Sequence, residues 1–296
     1  MNPAEVALYP FERPPTLAEL CRTLSARAGR NEKTVLLAGG TDWIVERRLA
    51  PPEDSDDLPL VLDVSRLPEM RGIHVANERA EIGAAVTFLE IRRDPVLVQH
   101  APVLTEMARE VGAVQIQARG TLGGNLATAS PAADGSAALM ALEADVVLAS
   151  AHGERRVPLT RFFTGYRATQ RAEDEAIVRV EFALPRAGAH QMWRKVGTRA
   201  AQAISKVALA AVVEVDRGQG VRAGFGMASV APVTVPLPTV RELALGANLA
   251  SVSDDEIDAA TRRDIAPIDD LRSTAAYRAH VACALVKNFF HGLRGM

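Results

Sequence analysis

Gly112-Ala-Val-Gln-Ile-Gln-Ala-Arg-Gly-Thr-Leu-Gly-Gly-Asn-Leu-Ala-Thr-Ala-Ser-Pro-Ala-Ala-Asp-Gly-Ser136 holds five of the chain's 21 glycines. Between Gly112, Gly120, Gly123, Gly124 and Gly135 stand Thr121, Asn125, Thr128, Ser130 and Asp134. Glycine lets backbone N–H groups converge on one point, or lets a ligand touch the main chain with no β-carbon in the way. Small hydroxyl and amide side chains add donors without bulk. The stretch reads as a loop that cradles a phosphate-bearing cofactor.

A second stretch upstream has the same grammar. Thr34-Val-Leu-Leu-Ala38 is a short apolar strand that runs into Gly39-Gly40-Thr41-Asp42-Trp43, and Trp43, Ile44, Arg47 and Arg48 open a helix. A strand, a glycine turn and a helix start place free N–H groups and a positive dipole end together, which suits an anion. Neither Ala38-Gly-Gly-Thr-Asp42 nor Thr121-Leu-Gly-Gly-Asn125 contains Lys or Arg. A diphosphate there would rest on backbone N–H groups and helix ends. Neither loop is a Gly-x-Gly-x-x-Gly fingerprint or a Gly-x-x-x-x-Gly-Lys-Ser/Thr phosphate loop. Gly224-Phe-Gly226 starts like the former, but Ser229 stands at the last glycine, so it reads as a strand bend. Asp134 has two readings, a carboxylate that accepts from cofactor hydroxyls or a cap for the helix entering at Ala137. Lys195, between Arg194 and Val196, reads as a solvated charge on a strand.

Composition excludes several function classes. A chain of 296 residues is most simply two domains, at roughly 100–200 residues each. Its aromatic content of 4% argues against a base-stacking surface, and its net charge of −2 gives no basic field for nucleic acid. Two cysteines, Cys21 and Cys283, are too few for a cysteine-ligated cluster or a Cys₄ zinc site, and read as buried thiols in a reducing compartment. The six histidines, at 74, 100, 152, 190, 280 and 291, show no metal-ligand spacing, so no metal site is expected. No Gly-x-Ser-x-Gly elbow, His-Glu-x-x-His pair or other catalytic residue set occurs. The N-terminus lacks a basic, long-apolar secretory signal, and no apolar run approaches the ~20 residues of a membrane span. A cytoplasmic protein is expected.

Along the rest of the chain, Thr16-Leu-Ala-Glu19, Thr87-Phe-Leu-Glu90 and Ser253-Asp-Asp-Glu256 are capping boxes. Residues 50–59 form an acidic, proline-rich loop. Leu60-Val-Leu-Asp63 is a buried-strand run, and Ile73–Val75 pairs with Ala80–Gly83 around Asn77-Glu78. Helices are expected over Val103–Val111 and Ala137–Ala144, and a strand over Val146–Ala149. Ile177–Leu184 is extended, and the domain change is placed near it. Gln191–Val196, Val207–Val215 and Val221–Met227 then read as an antiparallel sheet. The tail from Thr274 to Phe290, with Tyr277, Val281, Leu285 and Phe289 at helical steps, is an amphipathic helix for that sheet. Cofactor loops without a nucleophile, metal site or acid–base pair suit redox chemistry, in which the cofactor carries the reactivity.

At these residues the sequence resembles the FAD-binding (medium) subunits of the molybdenum hydroxylases, such as xanthine dehydrogenase FAD subunits and carbon monoxide dehydrogenase medium subunits. The resemblance covers nearly the whole chain. It rests on Leu36-Leu-Ala-Gly-Gly-Thr-Asp-Trp43 and Thr121-Leu-Gly-Gly-Asn-Leu-Ala-Thr-Ala-Ser-Pro-Ala-Ala-Asp134. Leu62-Asp-Val-Ser-Arg-Leu67, Phe162-Phe-Thr-Gly-Tyr-Arg167 and Asp270-Leu-Arg-Ser-Thr-Ala-Ala-Tyr-Arg278 support it. It implies an α+β fold. A two-lobed FAD domain over 1–176 (lobes of about 1–58 and 59–176) would precede a smaller domain, 177–296, with a three-stranded antiparallel sheet and helices.

The resemblance also implies site residues. Leu36, Leu37, Ala38, Gly39, Gly40, Thr41, Asp42 and Trp43 would grip the FAD diphosphate with Thr121, Leu122, Gly123, Gly124 and Asn125. Asp134 and Lys195 would contact the cofactor, and Val111 and Ile177 would supply apolar contacts. Partner subunits would carry molybdopterin (the large one) and [2Fe–2S] clusters (the small one), in a dimer of heterotrimers. This chain would take electrons from those clusters and pass them to NAD, a quinone or O₂. Some relatives carry a cysteine-rich insertion for a further cluster. Here Asp134 leads directly into Ala137-Ala-Leu-Met140, so no extra cluster is expected. A stand-alone flavin oxidase and a flavin-free scaffold remain the alternatives.

Overall fold

The structure, a computed structural model, describes residues 9–49, 58–199, 202–246 and 248–294. The acidic loop expected at 50–59 lies, apart from its last two residues, outside the described residues. The fold is α+β, with three sheets and one two-stranded ribbon among the described residues.

The first sheet is parallel, in the order β1 (Phe11–Glu12), β3 (Leu60–Asp63), β2 (Thr34–Leu37). β3 is buried at all four positions, as a central parallel strand covered on both faces must be. The helix Leu17–Ala28 packs its Leu20, Cys21 and Leu24 face into the same core. Thr16 caps that helix by accepting from Glu19 N, without the expected return bond from the Glu19 carboxylate. The boxes at Thr87 and Ser253 close in both directions.

The second sheet is antiparallel. Its order is β4 (Ile73–Ala76), β5 (Arg79–Gly83), β10 (Ala176–Ala183), β6 (Asp145–Ser150), β7 (Gly153–Pro158). Asn77 and Glu78 turn β4 into β5 with φ of 50° and 60°, the left-handed pair that a two-residue hairpin demands. β10, the segment beside which the sequence places the domain change, is the middle strand here, bonded to β5 and β6. The ribbon is β8 (Phe163–Gly165) with β9 (Ala168–Thr169).

The third sheet runs β11 (His190–Val196), β12 (Val207–Asp216), β13 (Gln219–Ala228), all antiparallel. β12 is buried on both faces. Ala208, Ala210 and Val212 meet the core of the second sheet, while Val207, Leu209, Ala211 and Val213 meet the C-terminal helices. The element on the first of these faces is the helix Asp134–Ala141, buried at all eight positions.

Gly224 and Gly226 explain how close that helix lies. They sit in a regular part of the β13 ladder rather than at a bend. A β-carbon on Gly224 would stand 2.2 Å from Ala141 O, and one on Gly226 2.2 Å from Ala137 O. The glycines let helix backbone rest on strand backbone.

The opposite face takes the helices Pro238–Gly246, Asp254–Asp264 and Ala275–Leu293. The last buries Ala282, Val286, Phe289, Phe290 and Leu293, whereas Tyr277 is 43% exposed. The expected face is thus turned by about one residue. Phe225 packs on two aromatic rings of the buried face, with its centroid 5.6 Å from Phe289 and 6.4 Å from Phe290.

Gly226→Ala is expected to destabilise the protein by about 1–3 kcal/mol, because the helix must lift from the sheet. Gly246→Ala, whose β-carbon meets nothing within 4 Å, is the control. Thermal unfolding should show a lowered midpoint for the first alone; equal midpoints would contradict the close packing.

Candidate functional site

The first glycine loop connects β2 to the helix Trp43–Leu49. Gly40 has φ +73°, a conformation that favours glycine. Ile44 N donates to Gly40 O and Glu46 N to Asp42 O, so the helix begins directly after the turn. The N–H groups of Gly39, Gly40, Thr41 and Asp42 have no acceptor among the described residues. Four consecutive donors are left for something else.

The second loop has spent its donors from Leu122 to Asn125, and only Thr121 N has no acceptor among the described residues. Leu122 N donates to Val86 O at 3.0 Å and Gly123 N to Ala84 O at 2.9 Å. Gly124 N goes to the capping hydroxyl of Thr121 at 3.1 Å, and Asn125 N to Thr121 O at 3.0 Å. The expectation that both loops offer backbone donors is therefore corrected for this one. Its N–H groups pin the helix Leu122–Thr128 to the strand ends below. What it leaves unsatisfied is Asn125 Oδ1, buried with no partner. Gly124 is also open on one side, since a β-carbon there would meet only Thr121 Oγ1.

The two loops touch. A β-carbon on Gly39 would stand 2.0 Å from Arg119 O, so backbone meets backbone at that point. The Thr128 hydroxyl lies 2.7 Å from Asp42 Oδ2 and 3.0 Å from Gly124 O, tying the far end of the second helix to the first loop.

Between them runs a cleft of about 420 Å³, within the usual range for small-molecule sites. Leu36 through Trp43 line it, together with Thr121, Gly123, Gly124 and Asn125. Val111 and Ile177 are on its wall as well. Leu122 is not, because its side chain points into the core. Two acids on the wall are already engaged, Asp42 by Thr128 and Glu46 by Arg167 at 2.6 Å.

Sequence reasoning missed Arg171, a cation on the same wall. Its NH1 donates to Ala172 O at 3.1 Å and Glu175 O at 2.8 Å, and burial lowers its pKa. In the sequence it stands beside the acidic run Glu173-Asp-Glu175, which gives no sign of a cleft. Only long-range packing distinguishes it.

Asp134 and Lys195 lie off the cleft wall and pair with each other. Asp134 is the first residue of its helix, whose cap position is Ala133, and its side chain makes no capping bond. One carboxylate oxygen takes the Lys195 ammonium, and the other accepts from Ser205 Oγ at 2.6 Å. Lys195 also donates to Glu110 O at 3.2 Å, and Glu110 in turn accepts from Trp193 Nε1 at 3.0 Å. The reading of Lys195 as a solvated charge is thus overturned, since both side chains of the pair are at least nine-tenths buried. Burial pushes the Asp134 carboxyl up, while the Lys195 ammonium and the Ser205 hydroxyl hold it back.

No group of three or more His, Cys, Asp or Glu side chains placed to hold a metal occurs among the described residues. Cys21 and Cys283 are buried free thiols, each with its pKa raised by burial. Among the described residues no helix is long and apolar enough to cross a membrane.

Comparison with known proteins matches residues 5–186 to the FAD binding domain in molybdopterin dehydrogenase. Residues 193–293 match the CO dehydrogenase flavoprotein C-terminal domain. The chain is 34% identical over 213 residues to the nicotinate dehydrogenase FAD-subunit of Eubacterium barkeri, covering 70% of this chain and 69% of that one. It is 30% identical over 289 residues to the carbon monoxide dehydrogenase medium chain of Hydrogenophaga pseudoflava, covering 94% of each. A solved structure of carbon monoxide dehydrogenase from Hydrogenophaga pseudoflava superposes with a TM-score of 0.85 over 95% of both chains, at 26% identity.

Lys195→Met is expected to cost about 3–5 kcal/mol at neutral pH, because it leaves a buried carboxylate unpaired. The folded-state pKa of Asp134, already raised, then rises further above its unfolded value. A raised carboxyl favours the folded state below the unfolded pKa of about 4 and loses that contribution as pH climbs through the folded pKa. Denaturant unfolding across pH should show the variant's deficit growing from acid toward neutrality; a constant deficit would mean that Asp134 is not the group exposed to the loss.

Proposed function

We propose that this chain, which belongs to the FAD-binding subunits of the molybdopterin dehydrogenases, is the flavin station of a multi-subunit oxidoreductase. It receives electrons from [2Fe–2S] clusters of a small partner subunit and passes them to NAD, a quinone or O₂. Substrate oxidation belongs to a large molybdopterin subunit, and the complex is a cytoplasmic dimer of such heterotrimers. The observation that carries the reading is the cleft, lined by four backbone donors that have no acceptor among the described residues.

The residues of the cleft fit FAD. Gly39, Gly40, Thr41 and Asp42 hold the diphosphate by their N–H groups, with the start of the helix Trp43–Leu49 adding its dipole. Asn125 brings a buried oxygen that lacks a protein donor and accepts one from the cofactor. Gly124 leaves room for the ligand where any larger residue would fill it. Arg171 supplies the one positive side chain among the described residues that line the cleft. Val111 and Ile177 give apolar contact.

The Asp134–Lys195 pair stands behind the wall, next to Gly135, whose missing β-carbon makes room for the Asn125 amide. When bound, FAD takes electrons singly from clusters and releases them in pairs, so no acid–base or nucleophilic residue is demanded of this chain.

The purified chain is expected to carry a flavin spectrum, or to take up one equivalent of FAD when stripped, and to turn over no small substrate alone. Absence of flavin together with no uptake would leave only a scaffold. Turnover by the lone chain would make it a self-contained oxidase.

A further inference from the structure

The Asp134–Lys195 pair is reached from a third direction, by the C-terminal helix. Arg278, in the first turn of the helix Ala275–Leu293, is 3% exposed. Its NH1 donates to Ser229 O at 2.8 Å and to Lys206 O at 3.1 Å, and its NH2 to Asp270 Oδ1 at 2.6 Å. Its Nε is buried with no acceptor. Withdrawing a guanidinium from water with one N–H unsatisfied is costly, so a chain that keeps it there gains something by what the side chain holds.

What it holds is both sides of Ser205. Lys206, one carbonyl acceptor, follows Ser205 directly. Ser229, the other, sits at φ +67° and donates its hydroxyl to Ser205 O at 2.9 Å. Ser229 N also donates to Pro131 O at 2.8 Å, on the segment that leads into Asp134. Ser205 itself is 1% exposed, and its hydroxyl donates to Asp134 Oδ1 at 2.6 Å. A polar chain thus runs from Asp270 through Arg278, Ser229 and Ser205 to Asp134 and Lys195. It joins the C-terminal segment Asp270–Arg278, otherwise without a role in the site, to the element beside the cleft.

We propose that Arg278 is a positioning residue for the flavin site, which acts by fixing Ser205 so that its hydroxyl holds Asp134 in the pair with Lys195. The proposal rests on the reading that FAD occupies the cleft next to Asn125 and Gly135. It differs from a plain structural staple in one respect. A staple loses stability when cut, whereas a positioning residue loses its effect on the cofactor once the group it acts through is gone.

The test is a double-mutant cycle on the full chain, with FAD affinity by titration and the visible circular dichroism of the bound flavin as readouts. Arg278→Met is expected to weaken FAD binding by roughly tenfold or more, the range of a lost charge-assisted hydrogen bond, and to change the flavin dichroism. Ser205→Ala should do the same, and the double variant should be no worse than the weaker single one. Arg278→Lys should recover part of both readouts. If Arg278→Met does not fold, Ser229→Ala and Asp270→Asn replace it in the same cycle. Independent, additive effects, or unchanged affinity with unchanged dichroism, would overturn the proposal. A wild-type chain that takes up no FAD would instead remove the functional reading on which it stands.

Discussion

Where Gly39 meets the Arg119 carbonyl there is no room for a β-carbon, and that close approach fixes how the two glycine loops relate. Backbone against backbone brings the end of β2 beside the start of the helix Leu122–Thr128 and leaves a cleft along the seam. The loops then divide the work, because a backbone N–H can be spent only once. From Leu122 to Asn125 the second loop spends its donors on Val86, Ala84 and its own cap, which makes it a floor. The first loop keeps four donors open. These four residues are half-buried or exposed, so water or a ligand can reach and complete their donors.

The helix Asp134–Ala141 carries this seam to the C-terminal domain. It is buried over its whole length, with Gly224 and Gly226 of β13 beneath its carbonyls. Lys195 on β11 and Ser205 before β12 reach its first residue. The C-terminal domain is thus more than a neighbour of the FAD-binding domain, since it supplies the counter-charge and the hydroxyl for a carboxylate behind the cleft wall. The proposed flavin site thus draws on both domains, with open backbone donors from the first loop and, behind the cleft, an ammonium and a hydroxyl from the second.

Local chemistry was legible in the sequence. The strand, glycine turn and helix start at 34–43, the Asn77-Glu78 hairpin and the boxes at Thr87 and Ser253 are each written within a few residues. So was the three-stranded C-terminal sheet, because its strands follow one another along the chain. Long-range pairing was not. Asp134 and Lys195 lie 61 residues apart, and a lone lysine on a strand gives no sign of a buried partner. Arg171, beside the acidic run Glu173-Asp-Glu175, gave no sign of the cleft for the same reason. The tail helix misled by one residue, since Tyr277 and Val281 keep helical spacing as well as Ala282 and Val286 do, and only packing on the sheet and its helices decides between the faces. Gly224 and Gly226 looked like a bend because the sequence does not show a helix pressed on the strand.

The most direct measurement is amide hydrogen exchange on the flavin-free chain before and after adding FAD. The account predicts that the N–H groups of Gly39 to Asp42 exchange freely without FAD and become protected with it. Those of Leu122 to Asn125, already bonded within the protein, should be protected in both states. Protection gained at 122–125 with 39–42 unchanged would contradict the division of work between the loops.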